Sequence, residues 1–179
     1  IVTGCMSAWI TNTATTLLIL PIAVISQVDV AQKKRFATCL ILSVAYAASL
    51  GGLSTMIGTA PNALFASLGD SLAGVEIIFF DWMLVGVPIS VVSLLVLWVY
   101  MTTTARLDNK KLILKDKNII TEELRNLGNW SRSEKIVLII FAATALAWIT
   151  RGLFWKDLLL FVGDHVIVLV AVAALLILP

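Results

Sequence analysis

Between Ile1 and Ile25 the chain carries no charged residue, yet the middle of that run reads Thr11-Asn12-Thr13-Ala14-Thr15-Thr16, hydroxyls around a single amide. About forty residues on, a second apolar run is interrupted in the same way by Gly51-Gly52-Leu53-Ser54-Thr55-Met56-Ile57-Gly58-Thr59-Ala60-Pro61-Asn62. Polar groups within such runs are costly unless they find partners, and backbone at bilayer depth must be helical unless protein or water surrounds it. These two islands therefore restrict the fold more than any other feature. The expectation is that they meet inside a membrane and form a site for an ion and an anion.

Composition supports the bilayer setting. The chain is 60% hydrophobic with mean hydropathy +1.00, and 13% of its residues are charged, where about 25% is usual for a soluble domain. Several apolar runs approach the ~20 residues that a spanning helix needs. The fold class expected is an all-α polytopic membrane protein, built from a re-entrant helical hairpin and a discontinuous helix. Its surroundings are the lipid bilayer, with a multi-pass location in the plasma (inner) membrane.

Four segments follow from the pattern. Residues 1–26 read as the hairpin, two short helices joined at a Thr11-Asn12-Thr13 tip, with Pro21 removing a backbone donor in the second. Residues 27–104 hold a basic turn (Lys33, Lys34, Arg35), a short helix over Phe36–Leu50, the glycine-rich break, and a full span over 82–104. Trp82, Trp98 and Tyr100 suit its interfacial ends. Residues 105–135 contain eight of the 13 Lys and Arg together with five acidic residues, and read as a cytoplasmic linker that is partly a surface helix. Mixed charge of this kind is solvated membrane-flanking sequence, so no nucleic-acid partner is expected. Residues 136–179 begin further spans; Arg151 and Lys156 at the far end of the first of them oppose an outward placement. Ile1 and Pro179 both lie at the ends of apolar runs, so a piece of a longer protein is expected.

The chemistry of the islands points to a hard cation. Hydroxyl and carbonyl oxygens supply ligands without net charge, and carbonyls are free only where a helix is broken. The same breaks expose helix N-termini, whose N–H groups favour carboxylate or sulfate. Paired broken helices near the midplane are a recurring plan among secondary transporters. The competing reading makes these hydroxyls helix-to-helix glue in a non-transporting subunit. Cys5 and Cys39 lack metal or redox spacing and are expected to be buried packing residues. An enzyme is not expected: there is no His-Glu-x-x-His, no nucleophile–base pair, and the lone His165 reads as a helix end.

The residues Trp9-Ile10-Thr11-Asn12-Thr13-Ala14-Thr15 with Leu20-Pro21, and Ser49-Leu50-Gly51-Gly52 through Asn62, resemble the divalent anion/sodium symporter family of sodium-coupled dicarboxylate, citrate and sulfate transporters. Thr11 stands where that family's motif usually has Ser, and Ala60-Pro61 where it has two prolines. The resemblance implies an inverted-repeat transporter fold, of which this chain is the later part of one repeat and the start of the next. It implies sodium ligands at Ser7, Thr11, Asn12, Ser54 and Gly58, and substrate contacts at Asn12, Thr13 and Thr59. It further implies sodium as the coupling ion, a di- or tricarboxylate or sulfate as substrate, an elevator-type motion, and a homodimer when full length.

Overall fold

A computed structural model of the chain describes residues 1–25, 33–105, 128–155 and 163–178. Among them are seven α-helices: α1 (Val2–Ser7), α2 (Asn12–Ile25), α3 (Lys33–Gly52), α4 (Ala60–Ala73), α5 (Phe79–Ala105), α6 (Arg132–Thr150) and α7 (Asp164–Ile177). The end of α6 continues into a π-helical turn, Arg151–Trp155. Most of the basic turn before α3 and of the charged linker, residues 26–32 and 106–127, lies outside the described residues, as do Lys156 and Asp157.

Among the described residues, α5 and α6 are the two helices both long and apolar enough to cross a membrane, over Phe79–Thr104 and Arg132–Phe154. Pro88 lies within α5, as Pro21 lies within α2. Large aliphatics such as Leu84, Val92, Val96 and Ile139 are exposed on these two helices. That surface suits lipid or further protein, and not water.

Both breaks are present as backbone, with shifted edges. The first covers residues 8–11, so Asn12 and Thr13 stand in the first turn of α2 and not in the tip expected of them. The second covers residues 53–59, between α3 and α4. Helix α3 begins three residues before Phe36 and runs for 20 residues. Helix α6 starts earlier than residue 136 because Ser131 and Glu134 form a capping box. The Ser131 N–H donates to Glu134 Oε2 at 2.7 Å, and the Glu134 N–H donates to Ser131 Oγ at 3.2 Å.

Helices α1 and α2 both pack on α3, and α3 packs along α5. Small residues line this contact: Gly4, Ser7 and Ala8 on one side, Ala47, Ala48 and Gly51 on the other, all buried. Without side chains in the way, backbones approach closely. A Cβ on Gly51 would land inside the backbone of Gly4. The cysteines depart from expectation, since Cys5 is exposed and Cys39 half-exposed.

Aromatic packing and charge join the two halves. Trp9 meets Phe79 at 6.2 Å and Phe141 edge-on at 5.5 Å, and Phe79 stacks on Trp148 at 4.6 Å between centroids. Asp164 opens α7 and reaches across: one carboxylate oxygen accepts from the Phe79 N–H at 3.0 Å, the other from Arg151 at 2.7 Å. Arg151 also faces Glu76 at 3.6 Å. The Arg151 charge that opposed an outward placement is therefore answered by two carboxylates. His165 sits in the first turn of α7, as a helix end should.

Candidate functional site between the two helix breaks

Breaking α3 frees the carbonyls of its last turn, and the sequence of the break determines how each is satisfied. The Leu50 carbonyl accepts from Ser90 Oγ at 2.8 Å. The Gly51 carbonyl accepts from the Ser54 N–H at 3.0 Å. Asn62, buried on the first turn of α4, spans the break from behind; its Nδ2 donates to Gly52 O and to Thr55 O, each at 2.8 Å. The Leu53 carbonyl accepts from Trp82 Nε1 at 3.0 Å.

The first break is closed by its own side chains. Ser7 Oγ donates to Asn12 Oδ1 at 2.7 Å, across the gap between α1 and α2. Thr15 Oγ1 donates back to the Ile10 carbonyl at 3.3 Å, and Thr16 Oγ1 to the Asn12 carbonyl at 2.7 Å. Ser7 and Thr15 are both fully buried.

Two contacts bring the breaks together. The buried Thr55 hydroxyl donates to the Ala8 carbonyl, and accepts from the Gly58 N–H at 3.1 Å. Asn12 Oδ1 lies so near Gly52 that a Cβ there would overlap it. A Cβ on Gly58 would in turn meet the backbone of Gly52. Ser7, Asn12, Gly52, Thr55 and Gly58 thus form one connected cluster of neutral oxygens and amides.

Of the residues expected from sequence, Ser7, Asn12 and Gly58 belong to this cluster. Thr11, Thr13, Ser54 and Thr59 border the breaks. Thr11 and Thr13 are exposed and Ser54 and Thr59 half-exposed. Among the described residues their hydroxyls make no hydrogen bond to protein, and nothing ties the side chains of Thr13 and Thr59 to the Ser7–Asn12 pair. Thr59 is the extended residue before α4 (φ −149°, ψ 145°), with Pro61 in the first turn. Sequence reasoning missed Thr55, Asn62, Trp82 and Ser90. Asn62 had a readable signal, an amide directly after the Pro of a helix start. Thr55 had none beyond being one hydroxyl among several.

The cluster can do one kind of chemistry well. It offers uncharged oxygens, suited to a hard monovalent cation, beside the N-terminal turns of α2 and α4, which favour an anion. Among the described residues no three His, Cys, Asp or Glu side chains gather anywhere.

Comparison with known proteins gives consistent results. A family model described as citrate transporter matches residues 1–178. The sodium-dependent dicarboxylate transporter SdcS of Staphylococcus saprophyticus is 33% identical over 166 residues, which cover 87% of this chain and 32% of that protein. The protein of the same name from Staphylococcus aureus strain USA300 is 32% identical over the same length and shares. The chain thus spans about a third of the length of these curated relatives.

Proposed function

This chain belongs to the citrate transporter family, and from that premise we propose that it is the cation-binding portion of a sodium-coupled secondary transporter of di- or tricarboxylates. The observation that carries this reading is the joining of the two breaks by Thr55, with the Asn12 amide held against Gly52. In this reading Ser7, Thr11, Asn12, Ser54 and Gly58 supply oxygens to sodium. Asn12, Thr13 and Thr59 face the substrate carboxylate. The relatives' printed names, which specify sodium dependence and dicarboxylates, support the choice of both ions.

The proposed mechanism follows from the geometry. A cation drawn to the cluster orders the residues before α2, because Asn12 belongs both to the cluster and to the first turn of that helix. Ordering that turn fixes the direction of its free N–H groups, which prepares the anion position. Each ligand therefore raises the affinity for the other, and the coupling is reciprocal. The part of the protein that contains both breaks moves as one body against a fixed scaffold, in the manner of an elevator. The protein lies in the plasma membrane with several crossings, dimerises when full length, and performs no chemistry on its substrate.

The deciding experiment is uptake of labelled succinate, citrate and sulfate by the full-length protein, with and without sodium. Sodium-dependent uptake of succinate or citrate is expected, abolished by Asn12→Ala with membrane insertion intact. Uptake confined to sulfate would replace the carboxylate assignment. Sodium-dependent succinate uptake unchanged in Asn12→Ala would remove the site assignment. No uptake, together with no thermal shift on adding sodium and dicarboxylate, would favour a non-transporting subunit.

A further inference from the structure

Helix α5 touches the second break with a single stripe. Trp82, Gly86 and Ser90 are spaced i, i+4, i+8 and so stack along one face. Each meets backbone that the end of α3 has released. Ser90 Oγ donates to the Leu50 carbonyl at 2.8 Å, and Trp82 Nε1 donates to the Leu53 carbonyl at 3.0 Å. Between them Gly86 lies so close to the Leu53 and Ser54 carbonyls that a Cβ would overlap the first and press on the second. Ser90 is almost completely buried, and Phe65 packs edge-on against Trp82 at 5.9 Å, so the indole is braced from the α4 side.

The direction of these bonds matters. Turning the Leu50 and Leu53 carbonyls toward α5 sets the Leu50–Gly51 and Leu53–Ser54 peptide planes, which bracket the segment Gly51–Gly52–Leu53. Those planes decide which groups the break presents to its opposite side, where Gly51 lies on Gly4 and Gly52 lies against Asn12. We propose that Trp82 and Ser90 are positioning residues: they orient the second break from behind and thereby set the affinity of the neighbouring cluster for its cation. Neither side chain ligates the ion. The inference rests on the sodium-site reading above and adds two residues to it that lie on a different helix. Losing the Trp82 bond frees the Leu53 carbonyl dipole, and losing the Ser90 bond leaves the Leu50 carbonyl only the longer 3.4 Å bond from the Leu53 N–H. The number and orientation of such dipoles govern how strongly a neutral oxygen site holds an alkali ion.

The test is sodium-dependent succinate uptake by the full-length protein in vesicles, read as half-saturating sodium and as maximal rate. Ser90→Ala and Trp82→Phe are each expected to raise half-saturating sodium by about three- to tenfold, the size expected from one lost hydrogen bond. The maximal rate at saturating sodium should stay within about twofold of wild type. Ser90→Thr restores the hydroxyl and should restore sodium affinity. Thr102→Ala serves as the control, since Thr102 on the same helix bonds, among the described residues, to its own helix at Trp98 and Val99. Unmoved half-saturating sodium in both variants would overturn the inference and leave the transporter reading standing. So would a fall in maximal rate that Ser90→Thr shares. Sodium-independent uptake by the wild type would overturn the transporter reading, and this inference with it. Should Trp82→Phe fail to insert, Ser90→Ala decides alone.

Discussion

The cluster between the helix breaks is held by hydrogen bonds between neutral groups, whereas the joint between α5, α6 and α7 is held by charge. At the breaks, hydroxyls, the carboxamides of Asn12 and Asn62 and the glycines Gly51, Gly52 and Gly58 do the work, and each partner is a short side chain or the backbone itself. At the joint, Arg151 lies between Asp164 and Glu76, with its own side chain 12% exposed. In the sodium-site reading proposed above, a permanent positive charge nearby would repel the cation, and neutral dipoles would bind it without being committed to one salt bridge. A joint between helices has no such requirement. There, one well-placed ion pair sets the approach of three elements at once: the π-turn, the start of α5 through the Phe79 N–H, and the start of α7. Substitutions at the breaks should therefore alter sodium dependence, and substitutions at the joint should alter stability.

Four substitutions in the full-length protein would break or sharpen that contrast. Gly51→Val should have the largest effect, because its first carbon already overlaps the Gly4 backbone. Loss of uptake and a destabilisation of more than about 3 kcal/mol are expected, at the upper end for overpacking; near-normal thermal unfolding would show that the seam is loose. Asp164→Ala removes the nearer of the two ion-pair partners of Arg151 and the acceptor for the Phe79 N–H together. About 2 to 3 kcal/mol of stability should go, below the full value for a buried pair because Asp164 is partly exposed. Half-saturating sodium should stay at its wild-type value in the molecules that remain folded, and a marked change in it would erase the distinction between the two centres.

Thr55→Val comes third. It leaves the Ala8 carbonyl and the Gly58 N–H without the hydroxyl that serves both. A loss of about 2 kcal/mol and a raised sodium requirement are expected, with Thr55→Ser close to wild type; equal behaviour of the two variants would make Thr55 a packing residue. Glu76→Gln should be the mildest, under about 0.5 kcal/mol. Its side chain is 68% exposed and 3.6 Å from Arg151, the range in which surface pairs contribute little. Thermal unfolding compared with Asp164→Ala would measure how the joint divides its charge.

The breaks were legible in the sequence because their causes are local. Glycines, a proline and hydroxyls in an uncharged run cannot all be helix interior, and the backbone interrupts where they cluster. Helix edges were less legible: α6 begins at Arg132 because of a capping pair between Ser131 and Glu134, within a segment that charge alone marks as linker. The contacts between distant elements were not legible at all. Trp82 reads as an interfacial anchor by its position near a span end, yet its indole N–H is used on the Leu53 carbonyl. Arg151 reads as a charge on the wrong side because its partners lie 75 residues before it and 13 residues after it in the chain. Neither spacing carries a signal in one sequence.

Gly51 resting on Gly4 leaves no clearance for even one additional carbon. Contact that close holds α1 and the end of α3 in one register. In the elevator motion proposed above, α1 and the end of α3 would then travel as a block, and the hinge would lie outside this seam, in the chain that enters and leaves the block.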